Sequence, residues 1–255
     1  MDTNLLLLLF VGTLIGAASG YLGSFMVLKR MSLVGDALSH VALPGIAAAL
    51  MFDVNPMLGA LGALFIATLG IWYLGEHSEI YPEALVGVFF TASLSLGLLL
   101  TPEPELLEAL FGDIDKIGTA DGYLTAAGAL VIFIVVYLIS KKLVLGIVSE
   151  DLAKSQRINI SKINLVYLLM VALAVALGVK FLGTLLTGAM VIIPAVTAKN
   201  LAASIRSFHL FSILIGMFSV VAGILTARYF GIASGPAVVL VAVMIFVLSY
   251  IFRKK

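Results

Sequence analysis

Apolar residues fill long windows of this chain, and polar residues are confined to the short breaks between them. The windows fall near residues 4–28, 32–52, 56–75, 82–101, 120–140, 163–180, 182–202, 208–229 and 235–252. Each approaches the roughly 20 residues that a helix needs to cross a hydrocarbon layer of about 30 Å. We therefore predict an all-α, polytopic transmembrane bundle of nine spans, forming a single transmembrane domain over residues 1–255. The window at 182–202 contains Pro194 and has almost no loop before it, so it could be broken or re-entrant, leaving eight spans.

Composition supports a membrane protein and limits its chemistry. Apolar residues make up 62% of the 255 residues and charged residues only 11%, which is not the balance of a soluble domain. The chain has no cysteine, so a metal site would have to use oxygen and imidazole ligands. No Lys or Arg precedes the first window, which we therefore predict to be a retained span rather than a cleaved signal peptide.

The basic residues predict an orientation. With the N-terminus outside and the C-terminus in the cytoplasm, 12 of the 15 basic residues lie on the cytoplasmic side, as the positive-inside rule requires. These twelve are Lys29, Arg30, Lys141, Lys142, Lys154, Arg157, Lys162, Lys199, Arg206, Arg253, Lys254 and Lys255. We predict a multi-pass protein of the cell membrane, with the lipid bilayer as a partner and no nucleic acid.

An acid and a histidine interrupt the second window, in "SLVGDALSHVAL". Asp36 and His40 are four residues apart, so a helix places them on one face. A charge at the bilayer centre costs about 2.5–3.5 kcal/mol on the mildest scale, so this face must point into the bundle or towards water. Pro44 has no N–H group and leaves the carbonyl of His40 without its helical partner.

Three interpretations of Asp36 and His40 follow from the residues. Carboxylate oxygen and imidazole nitrogen suit borderline divalent cations such as Zn²⁺, Mn²⁺ or Fe²⁺, which favours a metal-transport site. The two side chains could instead bond each other or a neighbouring helix in a purely structural role, or form a proton relay in a cation- or proton-coupled secondary transporter. Protease, serine-hydrolase and phosphate-loop motifs are missing from the sequence, so we expect neither an enzyme nor an ATPase, and no resident cofactor.

The longest polar segment on the predicted cytoplasmic side is "KKLVLGIVSEDLAKSQRINISK". Ser149 can cap a short helix whose first turn carries Glu150 and Asp151, the charge favoured at that end. Leu152 and Ala153, with Gln156, are predicted to share a face and form a small docking surface. An ordinary solvated loop is the alternative.

Three segments resemble a known family: "RMSLVGDALSHVALPGIAAAL", "SEDLAKSQRINISKINLVYLLMVALAVALGVKFLGTLLTGAMVIIPAVTAKNLA" and "ASGPAVVLVAVMIFVLS". In this order they resemble the zinc- and manganese-type permeases of ATP-binding-cassette (ABC) importers. The resemblance implies a permease that carries divalent metal, with metal ligands at Asp36 and His40. It also implies a second permease subunit, expected to be a second copy of the chain, a separate ATPase, and an extracytoplasmic metal-binding protein.

The same resemblance places the family's ATPase-coupling segment near residues 147–160. The residues expected to carry the coupling are Ser149, Glu150, Asp151, Leu152, Ala153 and Arg157. Arg157 departs from the family, which usually has glycine at this position.

Acidic residues are in excess on the predicted outer side. Most belong to "PEPELLEALFGDID", residues 102–115, and Asp2, Asp53 and Asp121 add to them. This excess could steer cations inward or bind a basic patch on a delivery protein, although a solvated loop would have the same composition.

Overall fold

A computed structural model describes residues 3–101, 109–110, 112 and 118–251 of the chain. Within these residues there are ten α-helices, one of them short, and no β-strand, which confirms the all-α prediction. The helices are α1 (Thr3–Leu28), α2 (Leu33–Met51), α3 (Pro56–His77), α4 (Pro82–Leu100), α5 (Thr119–Val148), α6 (Glu150–Ser155), α7 (Ile160–Leu182), α8 (Thr184–Leu201), α9 (Ile205–Phe230) and α10 (Ser234–Ile251).

Eight helices are long and apolar enough to cross a membrane, namely α1–α5, α7, α9 and α10. The ninth predicted window forms α8, which has a shorter apolar stretch, Leu186–Leu201, and contains Pro194. α8 follows α7 directly at Gly183, whose φ of 76° only glycine adopts readily. Length and composition therefore support the smaller of the two predicted numbers of spans, while the sidedness of the membrane stays a prediction.

α5 runs well beyond its predicted end. The sequence predicts a span ending at residue 140, before Lys141 and Lys142, but α5 continues to Val148. Apolar residues resume after the lysine pair, in "LVLGIV", and exposed lysines can extend their charged ends away from a continuing helix. The predicted coupling segment consequently begins inside the last turn of α5.

Small residues bring pairs of helices into close contact. Gly12, Gly16 and Gly20 on α1 face successive residues of α9 in the opposite order, so the two helices are antiparallel. A methyl group added at Gly16 would lie 2.5 Å from the carbonyl oxygen of Gly216. The backbones touch at this point, which is how small residues stabilise helix pairs in membranes.

α2 lies in the interior of the bundle, in contact with α3, α4 and α8. Gly45 of α2 meets Gly59 of α3, again with backbone against backbone. On the other side of the core, the buried hydroxyl of Tyr167 on α7 donates to the carbonyl oxygen of Leu22 on α1, at 2.8 Å. The contact between Gly45 and Gly59 holds α2, which carries Asp36 and His40, directly against α3.

Hydrogen bonds and an ion pair connect neighbouring helices near both ends of the bundle. At one end, Lys29 after α1 donates to Asn164 of α7 at 2.5 Å, and the Trp72 indole of α3 donates to the Ser161 hydroxyl at 2.9 Å. At the other end, Lys180 of α7 forms an ion pair with Asp121 of α5 at 2.5 Å. The first end carries α6 and is the one predicted to face the cytoplasm.

Candidate functional site

Asp36 and His40 lie on one face of α2, as their spacing predicts. His40 is buried, with 6% of its surface exposed, and Asp36 is half-buried. The His40 ring packs edge-on against Phe90 of α4, with the ring centroids 5.0 Å apart. The polar face of α2 therefore points towards neighbouring helices.

The two residues are joined through the backbone of Asp36 rather than through its carboxylate. Nδ1 of His40 lies 3.0 Å from the Asp36 carbonyl oxygen, and the Ser39 hydroxyl donates to the same oxygen at 2.7 Å. A carbonyl oxygen only accepts, so Nδ1 must carry the proton and donate it. In the neutral ring, Nε2 then carries the lone pair.

This arrangement leaves both metal-ligating atoms available. Within the described residues, no hydrogen bond or ion pair engages the Asp36 carboxylate or Nε2 of His40. Metal-bound histidines usually donate their other ring N–H to a carbonyl or carboxylate, as His40 does here. In the structural interpretation the two side chains bond each other or a neighbouring helix. Among the described residues the Asp36 carboxylate does not bond the imidazole, while the His40 ring packs against Phe90 of α4.

Gly188 of α8 makes room for the Asp36 side chain. A methyl group at Gly188 would lie 2.5 Å from Cα and 2.7 Å from Oδ1 of Asp36, so only a hydrogen atom fits. Sequence reasoning did not identify Gly188 because it lies about 150 residues from Asp36. The one available signal was a glycine inside an apolar helix, where it lowers helix propensity.

The described part of one chain does not supply a complete ligand set. No group of three or more His, Cys, Asp or Glu side chains that could hold a metal ion occurs among the described residues. Asp36 and His40 therefore offer two ligands, and a divalent transition metal requires about four or more.

The predicted coupling segment contains the short helix α6. The Ser149 hydroxyl accepts from the Leu152 amide at 3.3 Å, which makes Ser149 the predicted N-cap. Glu150 and Asp151 are exposed in the first turn, and Glu150 pairs with Lys154 at 2.9 Å. That pair raises the pKa of Lys154, chiefly through the hydrogen bond to Glu150.

One detail of this surface differs from the prediction. Ala153 is fully buried, so it anchors α6 to the bundle instead of sharing a docking face with Leu152. Adjacent helical residues point about 100° apart, so these two neighbours diverge. Leu152, 53% exposed, and Gln156 remain available on the outer surface together with the two acids.

Arg157 ends the segment in a left-handed conformation, with φ of 58°. Its amide donates to the Lys154 carbonyl at 2.9 Å and the Ile158 amide to the Ala153 carbonyl at 3.0 Å. These two bonds define a Schellman motif, in which glycine is the preferred residue at the left-handed position. The geometry accounts for the glycine expected from the family resemblance, and the turn keeps its form with arginine.

The predicted acidic outer surface is described only in part. Residues 102–108 and 113–117, which hold most of its acids, and Asp2 lie outside the described residues. Asp121 is paired with Lys180 and so contributes little net charge. Asp53 is exposed at the end of α2.

The ABC 3 transport family matches residues 1–253, nearly the whole chain. The chain therefore belongs to this family, and is a permease-type, multi-pass protein of the cell membrane.

Named relatives make the comparison more specific. The chain is 30% identical over 252 residues to the high-affinity zinc uptake system membrane protein ZnuB of Haemophilus influenzae, covering 97% of each chain. It is 30% identical over 251 residues to the manganese transport system membrane protein MntC of Listeria monocytogenes, covering 97% of this chain and 90% of that one. Among solved structures, PsaBC from Streptococcus pneumoniae in complex with Fab aligns with a TM-score of 0.87 and 28% identity, over 98% of this chain and 92% of that chain.

Proposed function

We propose that this chain is the permease subunit of an ABC importer for divalent transition-metal ions, with zinc and manganese as the preferred candidates. Membership of the ABC 3 transport family and similarity over nearly the full chain to zinc and manganese permeases support this function. The comparisons give no support to the secondary-transporter alternative. A separate ATPase supplies the energy.

Asp36 and His40 are the proposed metal ligands along the path. The single observation that carries this role is the His40 hydrogen bond to the Asp36 carbonyl, which in the neutral ring leaves the Nε2 lone pair for a metal ion and does not engage the carboxylate. A partly dehydrated cation needs replacement ligands inside the membrane. A carboxylate and a neutral imidazole provide them without the negative charge that would hold the ion permanently.

A second copy of the chain is proposed to complete the path. Two ligands from each subunit would give the four that a tetrahedral ion such as Zn²⁺ takes. The outer face of α4, the helix that contacts His40 through Phe90, supports this role: Gly87, Thr91 and Ser95 recur every four residues there and are all exposed. Small and hydroxylated residues at this spacing are typical of helix contacts within membranes.

The remaining partners follow from the ends of the bundle. The ATPase is proposed to dock on the exposed Glu150, Asp151 and Leu152 of α6, while Ala153 transmits movement into the bundle through its buried contact. An extracytoplasmic metal-binding protein is proposed to deliver the ion at the opposite end.

The ligand role is tested by Asp36→Asn, which keeps the shape of the side chain and removes its charge. Uptake of radioactive zinc and manganese would be measured in proteoliposomes that hold the permease with its ATPase and delivery protein. We expect uptake to fall at least tenfold while expression and ATPase association stay normal. Asp53→Asn is the matched control, because Asp53 is exposed and asparagine tolerates its left-handed φ of 52°. Normal uptake by Asp36→Asn would refute the ligand role.

The subunit contact is tested by single cysteines at Thr91 and Ser95, since the native chain has no cysteine. We expect oxidation or a short bifunctional reagent to cross-link two copies of the permease. A cysteine at Leu138, 68% exposed on α5, is the control and should remain monomeric on denaturing gels. Equal cross-linking at all three positions would argue against an α4 interface.

ATPase docking is tested by combining Glu150→Lys with Asp151→Lys. We expect the ATPase to co-purify less while the permease folds normally, because both acids are exposed. The control reverses two exposed acids elsewhere, Glu79 and Glu83. Undiminished co-purification and uptake in the α6 variant would remove α6 from the docking site.

A further inference from the structure

A groove of about 520 Å³ opens at the end of the bundle that carries α6. It lies where the end of α1, the last turns of α5, the start of α6 and the first turns of α7 meet. None of the residues that line it belongs to the proposed metal path.

The groove is strongly basic. Lys29, Arg30 and Lys142 all line it, and the acid that faces them is Glu150. Glu150 is already paired with Lys154, so it cannot neutralise the three cations fully. The groove therefore has charge complementary to an anion.

Lys29 is the most constrained of the three cations. Its ammonium group donates to Asn164 at 2.5 Å and lies 5.3 Å from the centre of the Tyr167 ring. Burial lowers the pKa of Lys29 to about 8, and within the described residues no carboxylate offsets that loss of hydration. An ammonium has three donors, so a site with one amide acceptor leaves further donors free for an anionic ligand.

Part of the groove lining is apolar. It includes Leu143 and Ile147 from α5 and Ile160 and Ile163 from α7. These residues lie in the last turns of α5 and the first turns of α7, two helices that are long and apolar enough to cross a membrane. A ligand that fits both the basic and the apolar lining has an anionic head and an adjoining apolar chain.

We propose that this groove binds the headgroup of an anionic phospholipid, with the phosphate on Lys29, Arg30 and Lys142 and the acyl region along Ile147, Ile160 and Ile163. Basic pockets between helices on the cytoplasmic side bind such headgroups in general. Since Glu150 of α6 borders the groove, a bound lipid would also contact the segment proposed to dock the ATPase. Lipid binding does not depend on the chain carrying metal.

The test is a titration of purified permease with phosphatidylglycerol, followed by native mass spectrometry. We compare the wild type with a variant that combines Arg30→Gln and Lys142→Gln, both exposed residues outside the metal path. At about 1 kcal/mol per basic residue, removing both should weaken phosphatidylglycerol binding roughly 30-fold. Phosphatidylcholine should bind much more weakly than phosphatidylglycerol to the wild type and should not distinguish the two proteins.

A matched control combines Lys141→Gln with Lys162→Gln, which removes the same charge from exposed positions outside the groove. It should bind phosphatidylglycerol within about threefold of the wild type, a small difference on the same electrostatic scale. A second readout is the pKa of Lys29, followed by NMR of ¹³C-methylated lysines. Phosphatidylglycerol should raise this pKa from about 8 towards its ordinary value of 10.5.

Four results would overturn the proposal. They are undiminished phosphatidylglycerol binding by the groove variant, an equal loss in the control variant, an unchanged Lys29 pKa with phosphatidylglycerol, or displacement of the lipid by inorganic phosphate or glycerol phosphate at similar concentration. A groove variant that keeps its lipid and loses the ATPase would assign these cations to an acidic surface of the ATPase instead.

Discussion

Gly188→Ala provides a sharp test of how the candidate metal site is built. The new methyl group would lie 2.5 Å from Cα, 2.9 Å from Cβ and 2.7 Å from Oδ1 of Asp36. Carbon atoms in contact normally lie about 3.5–4.0 Å apart, and backbone atoms of α2 cannot rotate away. Helices α2 and α8 must therefore separate at the point where Asp36 lies.

The magnitude follows from two opposing effects. Overpacking destabilises the folded protein by about 1–3 kcal/mol, while replacing a helical glycine by alanine stabilises it by about 0.5–1 kcal/mol. The net loss of up to about 2.5 kcal/mol corresponds to a decrease in Tm of up to about 10 °C for a chain of this size. Because the substitution moves a proposed ligand without removing it, metal affinity should fall about 10–100-fold, as for other changes next to metal ligands.

The assay combines thermal unfolding in detergent with metal binding by isothermal calorimetry. Gly62→Ala on α3 is the matched control, because a methyl group at Gly62 would meet nothing within 4 Å. It should keep or slightly raise Tm and leave metal binding unchanged. If Gly188→Ala behaves like Gly62→Ala in both measurements, the contact between α8 and Asp36 does not shape the site.

Three further predictions concern the ends of the bundle. Arg157→Gly should stabilise the Schellman turn by up to about 1 kcal/mol and slow amide hydrogen exchange in residues 150–158. Arg157→Val should speed amide exchange in the same residues, because a φ of 58° disfavours β-branched residues. Burial lowers the pKa of Lys29 to about 8, so between pH 8 and 10.5 the unfolded chain binds more protons than the folded chain. In thermal unfolding, the stability of the wild type relative to Lys29→Met should therefore rise across this pH range. A difference in stability that does not change with pH would contradict the burial of the charge. A cysteine at Glu150 should react with an impermeant maleimide only after cells are opened, whereas a cysteine at Glu105 should react in intact cells. The reverse pattern of labelling would refute the predicted orientation.

The length of the apolar windows predicted the helices, and helical spacing predicted the shared face of Asp36 and His40. Residues four apart on any α-helix point the same way, so the shared face needed no knowledge of tertiary contacts. The structure, and not the sequence, identified α9 as the helix that packs on Gly12, Gly16 and Gly20 of α1.

Other features depend on contacts that spacing does not specify. His40 donates to the Asp36 carbonyl because of the rotamer that its side chain adopts. Knowing that a residue lies on a given face of a helix does not determine its rotamer. Gly188 acquires its role only when α8 packs on α2, and Ala153 is buried because α6 lies against α5. The α5 terminus was misplaced because two lysines were treated as a boundary, although local charge does not end a helix whose apolar pattern continues.

The indole of Trp72 has a spectroscopic consequence. It is the sole tryptophan in the sequence, and it donates to Ser161 where α3 meets the first turn of α7. Tryptophan emission from the isolated permease therefore originates at one joint, between α3 and α7, and α7 also borders the basic groove. Excitation at the red edge of the protein absorption spectrum selects this indole over the eight tyrosines, and a shift in its emission maximum would report a change in local polarity at this joint without any attached dye.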